Sequence, residues 1–215
     1  GTAGITLGTS AMMGAKSYAS IKGANDRINI SVVGVRGQGF GHLKRWASLA
    51  KSHNVMLKTI CDVDERLFDE RIKEVNKIQG EKPGTEVDMR RVFDDPEIDA
   101  ISIATPNHWH ALATIWAVQA GKDVYVEKPC SHNVWEGRQM VEAANKYNKI
   151  VQVGFQNRSI GAVREAMQHL HNGIIGDVYM AKGLCFKPRG SFGSSVNSPV
   201  PEGVHYDLWV GPAKW

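Results

Sequence analysis

The sequence predicts an α/β fold, a doubly wound parallel sheet with helices on both faces. Three observations carry that reading. Short apolar runs alternate with amphipathic stretches from Ile28 to Val153, the pattern of parallel strands joined by crossover helices. The first run passes directly into a glycine-rich loop, INISVVGVRGQGFGH (Ile28 to His42), which is how a strand turns tightly into a helix. A later run, GKDVYVEKP (Gly121 to Pro129), drives a buried strand into a charged tripeptide at its carboxyl end, where open α/β sheets bind ligands.

Each element has its own justification. Ile28 to Val35 is apolar apart from Asn29, Ser31 and Gly34, as suits a strand covered on both faces. Leu43, Trp46, Ala47 and Ala50 then fall at i, i+3, i+4 and i+7 and give a helix one apolar stripe. Val55 to Cys61 is the second strand, ending at Asp62, and Phe68, Ile72 and Val75 mark a helix up to Gly80. Gly80 to Gly84, with Pro83, reads as a surface loop. Ala100 to Ala104 is a strand, and Leu112, Ile115 and Trp116 line a helix stopped by Gly121. Val124 to Val126, a helix from Asn133 to Tyr147 and the strand Ile150 to Val153 complete the sheet. Beyond Gly154 a helix from Ile160 to His171, a strand from Val178 to Leu184, and a Gly, Ser and Pro-rich run from Pro188 to Gly203 are expected.

Composition excludes several classes of function. At 215 residues and 42% hydrophobic content, the chain can bury one full domain and part of a second. The formal charge of +4 is modest and its cations are interleaved with acids, so nucleic acid is not expected as a partner. Cys61, Cys130 and Cys185 form no CxxC pair, which indicates neither zinc nor a disulfide framework. Cys61 reads as a core residue, and Cys130 as core in preference to a site residue. Residues 3 to 15 are small and apolar and lead to Ser17-Tyr18-Ala19, the pattern of an export-signal tail with its cleavage site. The chain starts at Gly1, so the first residues of the gene product are expected to precede it. No span is expected in the mature form, since the apolar run is too short to cross a bilayer.

The glycine loop, ATPNHWHA (Ala104 to Ala111) and Gly-Lys-x-Val-x-x-Glu-Lys-Pro, in that order, resemble the Gfo/Idh/MocA family of nicotinamide-dependent oxidoreductases, which act mostly on sugars and polyols. The likeness covers about residues 27 to 215, and the Glu-Lys-Pro string is its specific part. It is nearest to the exported bacterial branch, which carries a twin-arginine signal and an ending like DLWVGPA (Asp207 to Ala213). The resemblance implies a Rossmann domain over 27–153 after an export remnant and linker at 1–26. It also implies an α+β domain with an open antiparallel sheet, begun but unfinished over 154–215. The family's Gly-x-x-x-Asp-x-Gly-x-His motif has no match before Trp215, so a continuation of the chain, with a further catalytic histidine, is expected.

Gly34, Arg36 and Gly39 occupy the three fingerprint places of a dinucleotide loop. Arg36 stands where the second glycine is usual, with Gly37 and Gln38 beside it, and can add charge-assisted bonds to a diphosphate. Asp62 ends the second strand, where an acid accepts from the adenosine ribose hydroxyls. That favours NAD, while Arg36 and Arg66 keep NADP open. Thr105, Pro106 and Asn107 are expected beside the nicotinamide end of the cofactor, with His108 reaching the substrate and His110 structural. Glu127 orients the turn at the cofactor, and Pro129 is a candidate for a cis bond. Lys128 is the expected catalytic group, since lysine supplies a cation and a proton to the reacting alcohol oxygen. By resemblance it contacts both the nicotinamide ribose and the substrate. Asn157 and Arg158 are expected to meet sugar hydroxyls, with a bridge between the domains as the other reading of Arg158, and no metal site is indicated.

These residues point to hydride transfer between NAD(H) and a hydroxyl-bearing carbon of a sugar or polyol, by a homo-oligomer exported to the periplasm. Two other readings stand beside it. One is a glycosidase that uses held NAD for a transient oxidation, and the other is a cofactor-binding module without turnover.

Overall fold

The computed structural model describes residues 27–191, 193–194 and 196–213. The export-signal remnant and linker expected over 1–26 lie outside them. Six strands make one parallel sheet: β1 (Ile28–Val33), β2 (Val55–Cys61), β3 (Gly84–Glu86), β4 (Ala100–Ile103), β5 (Asp123–Glu127) and β6 (Val151–Gly154). Their spatial order is β3-β2-β1-β4-β5-β6. The chain therefore winds one way from β1 and then the other, and the reversal leaves a crevice at the carboxyl ends of β1 and β4. Register is regular across that junction, with Val33 beside Ile103 and Cys61.

The helices are α1 (Gln38–Ser48), α2 (Ala50–His53), α3 (Phe68–Gln79), α4 (Met89–Asp94), α5 (Asn107–Gln119), α6 (Val134–Tyr147), α7 (Gly161–His171) and α8 (Tyr206–Val210). Alternation along the strands sorts side chains between two cores. Val32, Leu57 and Ile60 pack with Leu43 and Ala47 of α1 and Val75 of α3. Val33, Ile101, Ile103, Val124 and Val126 pack on the opposite face, with residues of α4, α5 and α6. Complete burial of each such side chain stabilises the fold by about 1.5–3 kcal/mol. Cys61 lies in the second core, and Cys130 packs against its edge.

Local chemistry sets the helix ends. Asn133 caps α6 by accepting from the Glu136 amide, and Glu136 in turn accepts from the His132 amide, a reciprocal pair that satisfies free donors at a helix start. Lys122 of the Gly-Lys-x-Val string is buried, and its ammonium donates to the carbonyls of Asp95 and Ile98 at 2.6 and 2.7 Å. Burial pushes its pKa down, against the pull of Asp95 and Asp99.

Two expectations about strands need correction. Gly84 opens a strand rather than ending a loop: Gly84, Thr85 and Glu86 pair with Thr59, Ile60 and Cys61. The strand expected over Val178–Leu184 does not form; among the described residues nothing pairs with it, and its apolar side chains face solvent. A strand needs a neighbour for its amides and carbonyls, and propensity alone cannot supply one. Among the described residues, the one antiparallel pairing outside the strands is a bridge between Asp64 and Val204.

Candidate functional site

The glycine loop forms because two close approaches exclude side chains. Gly34 has φ +83°, and a Cβ there would lie 2.7 Å from the Ala104 carbonyl and the Thr105 amide. A Cβ on Gly39 would sit 1.7 Å from the Gly34 carbonyl oxygen. Gly37, by contrast, faces open space. The loop is held from three sides: the Gly34 amide donates to Cys61 O at 2.8 Å, the Val35 amide to Asp62 Oδ2 at 2.7 Å, and Arg71 Nε to Val35 O at 3.0 Å. Helix α1 then begins with no side-chain cap and no acid in its first turn; the Phe40 amide donates to Gly37 O at 3.2 Å, which leaves those of Gln38 and Gly39 for an anion.

Two cavities lie along the carboxyl edge of the sheet and share Ala104 and Thr105. The first, about 350 Å³, is bounded by Gly34, Arg36, Asp62, Asp64 and Arg66, with Val204, Leu208 and Trp209 across from them. The second, about 370 Å³, is lined by Gln38, Asn107, His110, Glu127, Lys128 and Gln156. Thr105 Oγ1, at the junction, is buried and finds no hydrogen-bond partner among the described residues. A groove of this kind, with a glycine cradle, an uncapped helix start and an orphaned hydroxyl, fits an elongated anionic ligand.

The acids differ in state. Burial pushes the Asp62 carboxyl up, opposed by the amides of Val35 and Asp64 that donate to it. The Arg66 guanidinium beside Asp64 holds that carboxyl below its usual range. Asp62 is thus the acid whose fixed oxygens border the first cavity while Asp64 is spent on Arg66.

Under the second cavity lies a buried polar cluster that sequence reasoning missed. Glu127 Oε1 accepts from His42 Nε2 at 3.0 Å, from Gln38 Nε2 at 3.3 Å and from Gln156 Nε2. Its other oxygen accepts from the Lys128 amide at 3.2 Å. His42 Nδ1 lies 3.0 Å from Ser102 Oγ. Burial lowers the His42 pKa, against the raising effect of Glu127. Ser102, His42 and Glu127 have the residue types of a nucleophilic triad, yet Ser102 is fully buried in β4, so this set fixes position and attacks nothing. The available signal was the spacing of Gln38 and His42, four residues apart on one helix face.

The structure brings Gly34, Arg36, Asp62, Thr105 and Pro106 to the first cavity and Gln38, Thr105, Asn107, Glu127 and Lys128 to the second. Gly37 and Gly39 shape the loop without lining either cavity. His108 lines neither cavity: its Nε2 donates to Trp209 O at 2.9 Å. Two positions on, His110 faces the second cavity, with ring nitrogens 2.6 Å from Pro129 O and 2.8 Å from Thr105 O. Helix geometry decides this, since residues two apart lie about 200° from each other around the axis. Asn157 and Arg158 stand exposed on a 3-10 turn and line neither cavity, whereas Gln156 does. The Lys128–Pro129 bond is cis.

Comparison with known proteins agrees with the fold and the groove. The family model described as "Oxidoreductase family, NAD-binding Rossmann fold", GFO_IDH_MocA, matches residues 28–155. A levoglucosan dehydrogenase of Pseudarthrobacter phenanthrenivorans is 34% identical over 113 residues, covering 53% of this chain and 28% of that protein. An alpha-N-acetylgalactosaminidase of Shewanella oneidensis is 29% identical over 126 residues, covering 57% of this chain and 27% of that protein. Among solved structures, levoglucosan dehydrogenase in complex with NADH and levoglucosan superposes with TM-score 0.61 at 28% identity, over 70% of this chain and 40% of that one. Scyllo-inositol dehydrogenase of Lactobacillus casei, with NAD(H) and scyllo-inositol, gives 0.60 at 26%, over 70% and 43%. The chain thus spans less than half the length of these relatives. The matched segment runs from the first residue of β1 to just past the end of β6 and includes the glycine loop and Lys128, so the chain belongs to the Gfo/Idh/MocA oxidoreductase family, with its NAD-binding Rossmann fold.

Proposed function

We propose that the whole protein transfers hydride between NAD(H) and a hydroxyl-bearing carbon of a sugar or polyol. The observation that carries this is the groove that runs across the strand-order reversal from Asp62 to Lys128, through the shared Ala104 and Thr105. Asp62 would accept from the adenosine ribose, while Arg36 and the free amides of α1 would hold the diphosphate. Thr105, Pro106 and Asn107 would flank the nicotinamide end. Bound there, the nicotinamide supplies the hydride acceptor or donor. Lys128 stands exposed at the second cavity, placed to donate a hydrogen bond to the alcohol oxygen and to pass its proton. The Glu127 cluster fixes the loop that carries Lys128, and His110 ties that loop to Thr105. Asp62 disfavours a 2′-phosphate, so NAD should bind more tightly than NADP.

The test is mass spectrometry of small molecules released from the full-length gene product, purified without added cofactor, followed by a sugar and polyol panel read as NADH absorbance. Recovery of NAD with net NADH formation supports the reading; protein that binds no nicotinamide dinucleotide sinks it.

A second reading rests on the similarity to the Shewanella alpha-N-acetylgalactosaminidase: glycoside cleavage through a transient oxidation by held NAD. Release of a chromogenic aglycone with no net NADH would favour it over the dehydrogenase.

We also propose export, supported by the small apolar run of residues 3 to 15 and by Ser17-Tyr18-Ala19. Fractionation of the source cells tests it, and protein confined to the cytosol would overturn it.

A further inference from the structure

The segment from Pro201 to Gly211 lies far along the chain from the glycine loop and yet lines the first cavity. It is fastened at both sides of the crevice. On the β2 side, the Glu65 amide donates to Gly203 O at 2.9 Å, the His205 amide donates to Val63 O at 2.8 Å, and His205 Nε2 meets Glu65 Oε1 at 2.6 Å. On the β4 side, Trp109 Nε1 donates to Leu208 O at 3.0 Å, and His108 Nε2 donates to Trp209 O. Between these anchors α8 stretches over the crevice and presents Leu208 and Trp209 to the cavity. Val210 is buried beneath it. The fit is close enough to need a glycine, since a Cβ on Gly211, whose φ is +49°, would fall 1.9 Å from the Trp109 ring. The Tyr206 and Trp209 rings stack, with centroids 5.7 Å apart and planes 11° from parallel.

We infer that this segment is a nucleotide-binding element: a strap whose Val204, Leu208 and Trp209 cover the adenosine half of the bound dinucleotide. The inference rests on the dinucleotide reading above and adds residues to it. The cavity beneath the strap has the character such a moiety needs. Its walls are apolar at Val63, Val87 and Leu208, and its polar groups are Asp62, Arg36 and the Asp64–Arg66 pair, as in pockets that seat a flat base and orient it with a few polar contacts. Its volume of about 350 Å³ is within the ligand-pocket range of roughly 300–1,000 Å³. Because the strap is fastened to both walls, it stays in place over an adenosine bound beneath it. The strap therefore contributes chiefly to retention, through a slower off-rate.

The test is calorimetric titration of the full-length protein with NAD and with ADP-ribose, on the wild type and on Leu208→Ala, Trp209→Ala and Gly211→Ala. The first two variants truncate the cover and leave the backbone anchors. The third removes nothing from the cavity and displaces the strap from Trp109. All three should weaken NAD and ADP-ribose alike, by roughly tenfold, with the loss mainly in the off-rate when dissociation is followed by stopped flow; the urea midpoints of Leu208→Ala and Trp209→Ala should stay unchanged, while that of Gly211→Ala should fall because its Cβ meets the Trp109 ring. Variants that bind both ligands as the wild type does would overturn the strap alone. A wild type that binds neither ligand overturns the dinucleotide reading, and the strap with it.

Discussion

His42 Nε2 lies 3.0 Å from Glu127 Oε1, and this bond joins the helix that follows the glycine loop to the strand that delivers Lys128. The loop that borders the first cavity and the strand end that lines the second are thus tied through the interior. Glu127 gathers donors from α1, from its own loop and from the turn after β6. Buried carboxylates persist when their oxygens are satisfied in this way.

The pH dependence of stability follows from that pair. Burial lowers the His42 pKa below 6.5 in the fold, so the stability it contributes is fully present above pH 6.5. It is lost as pH falls through the lower folded value, because the unfolded chain takes up the proton first. His42→Gln keeps a donor for Glu127 and an acceptor for Ser102 without titrating. Urea denaturation at a series of pH values from 7.5 to 5 should show a shallower fall for the variant than for the wild type. Parallel curves would remove His42 as the source.

The glycines of the loop should separate fold from ligand. Gly39→Ala forces a Cβ to 1.7 Å from Gly34 O and should cost at least about 1–3 kcal/mol of stability. Gly37→Ala meets nothing within 4 Å and should leave the urea midpoint unchanged while weakening NAD, since its methyl projects at an exposed loop position. Equal midpoints for the two variants would contradict this account.

The two lysines of the Gly-Lys-x-Val-x-x-Glu-Lys-Pro string should behave oppositely. Lys122→Met strips the Asp95 and Ile98 carbonyls of their donor and should destabilise by about 1–3 kcal/mol, with NAD affinity retained. A denaturation midpoint equal to that of the wild type would show that solvent replaces the ammonium.

Lys128→Ala should leave the fold and NAD affinity intact and reduce turnover by about 10²–10⁴-fold. Steady-state kinetics with the best substrate of the panel, set beside a NAD titration, checks it. Unchanged turnover would take Lys128 out of the chemistry.

Much of the fold was legible because it is written in local periods. Leu43, Trp46 and Ala47 declare the buried face of α1, and Val55 to Cys61 forms the expected strand residue for residue. β3 was not legible, since Gly84–Glu86 is a short exposed edge and becomes a strand only by pairing with β2. Val178–Leu184 is the converse, a run with strand composition but no partner among the described residues. At the site, Lys128, Asp62 and Thr105 were readable from their places at strand ends. Gln156, His42 and the strap were not, because their partners lie far away in sequence: His42 and Glu127 are 85 residues apart, and Trp109 and Leu208 are 99 apart.

By itself the sequence determined the parallel α/β order, the glycine loop and the lysine at the end of β5, because apolar period and backbone sterics act between near neighbours. Tertiary structure alone decided that His110 rather than His108 faces the Lys128 cavity, that Glu127 is held from beneath, and that residues 201–211 cover the groove. Those outcomes depend on which surfaces meet once the sheet has closed, and no local pattern records them.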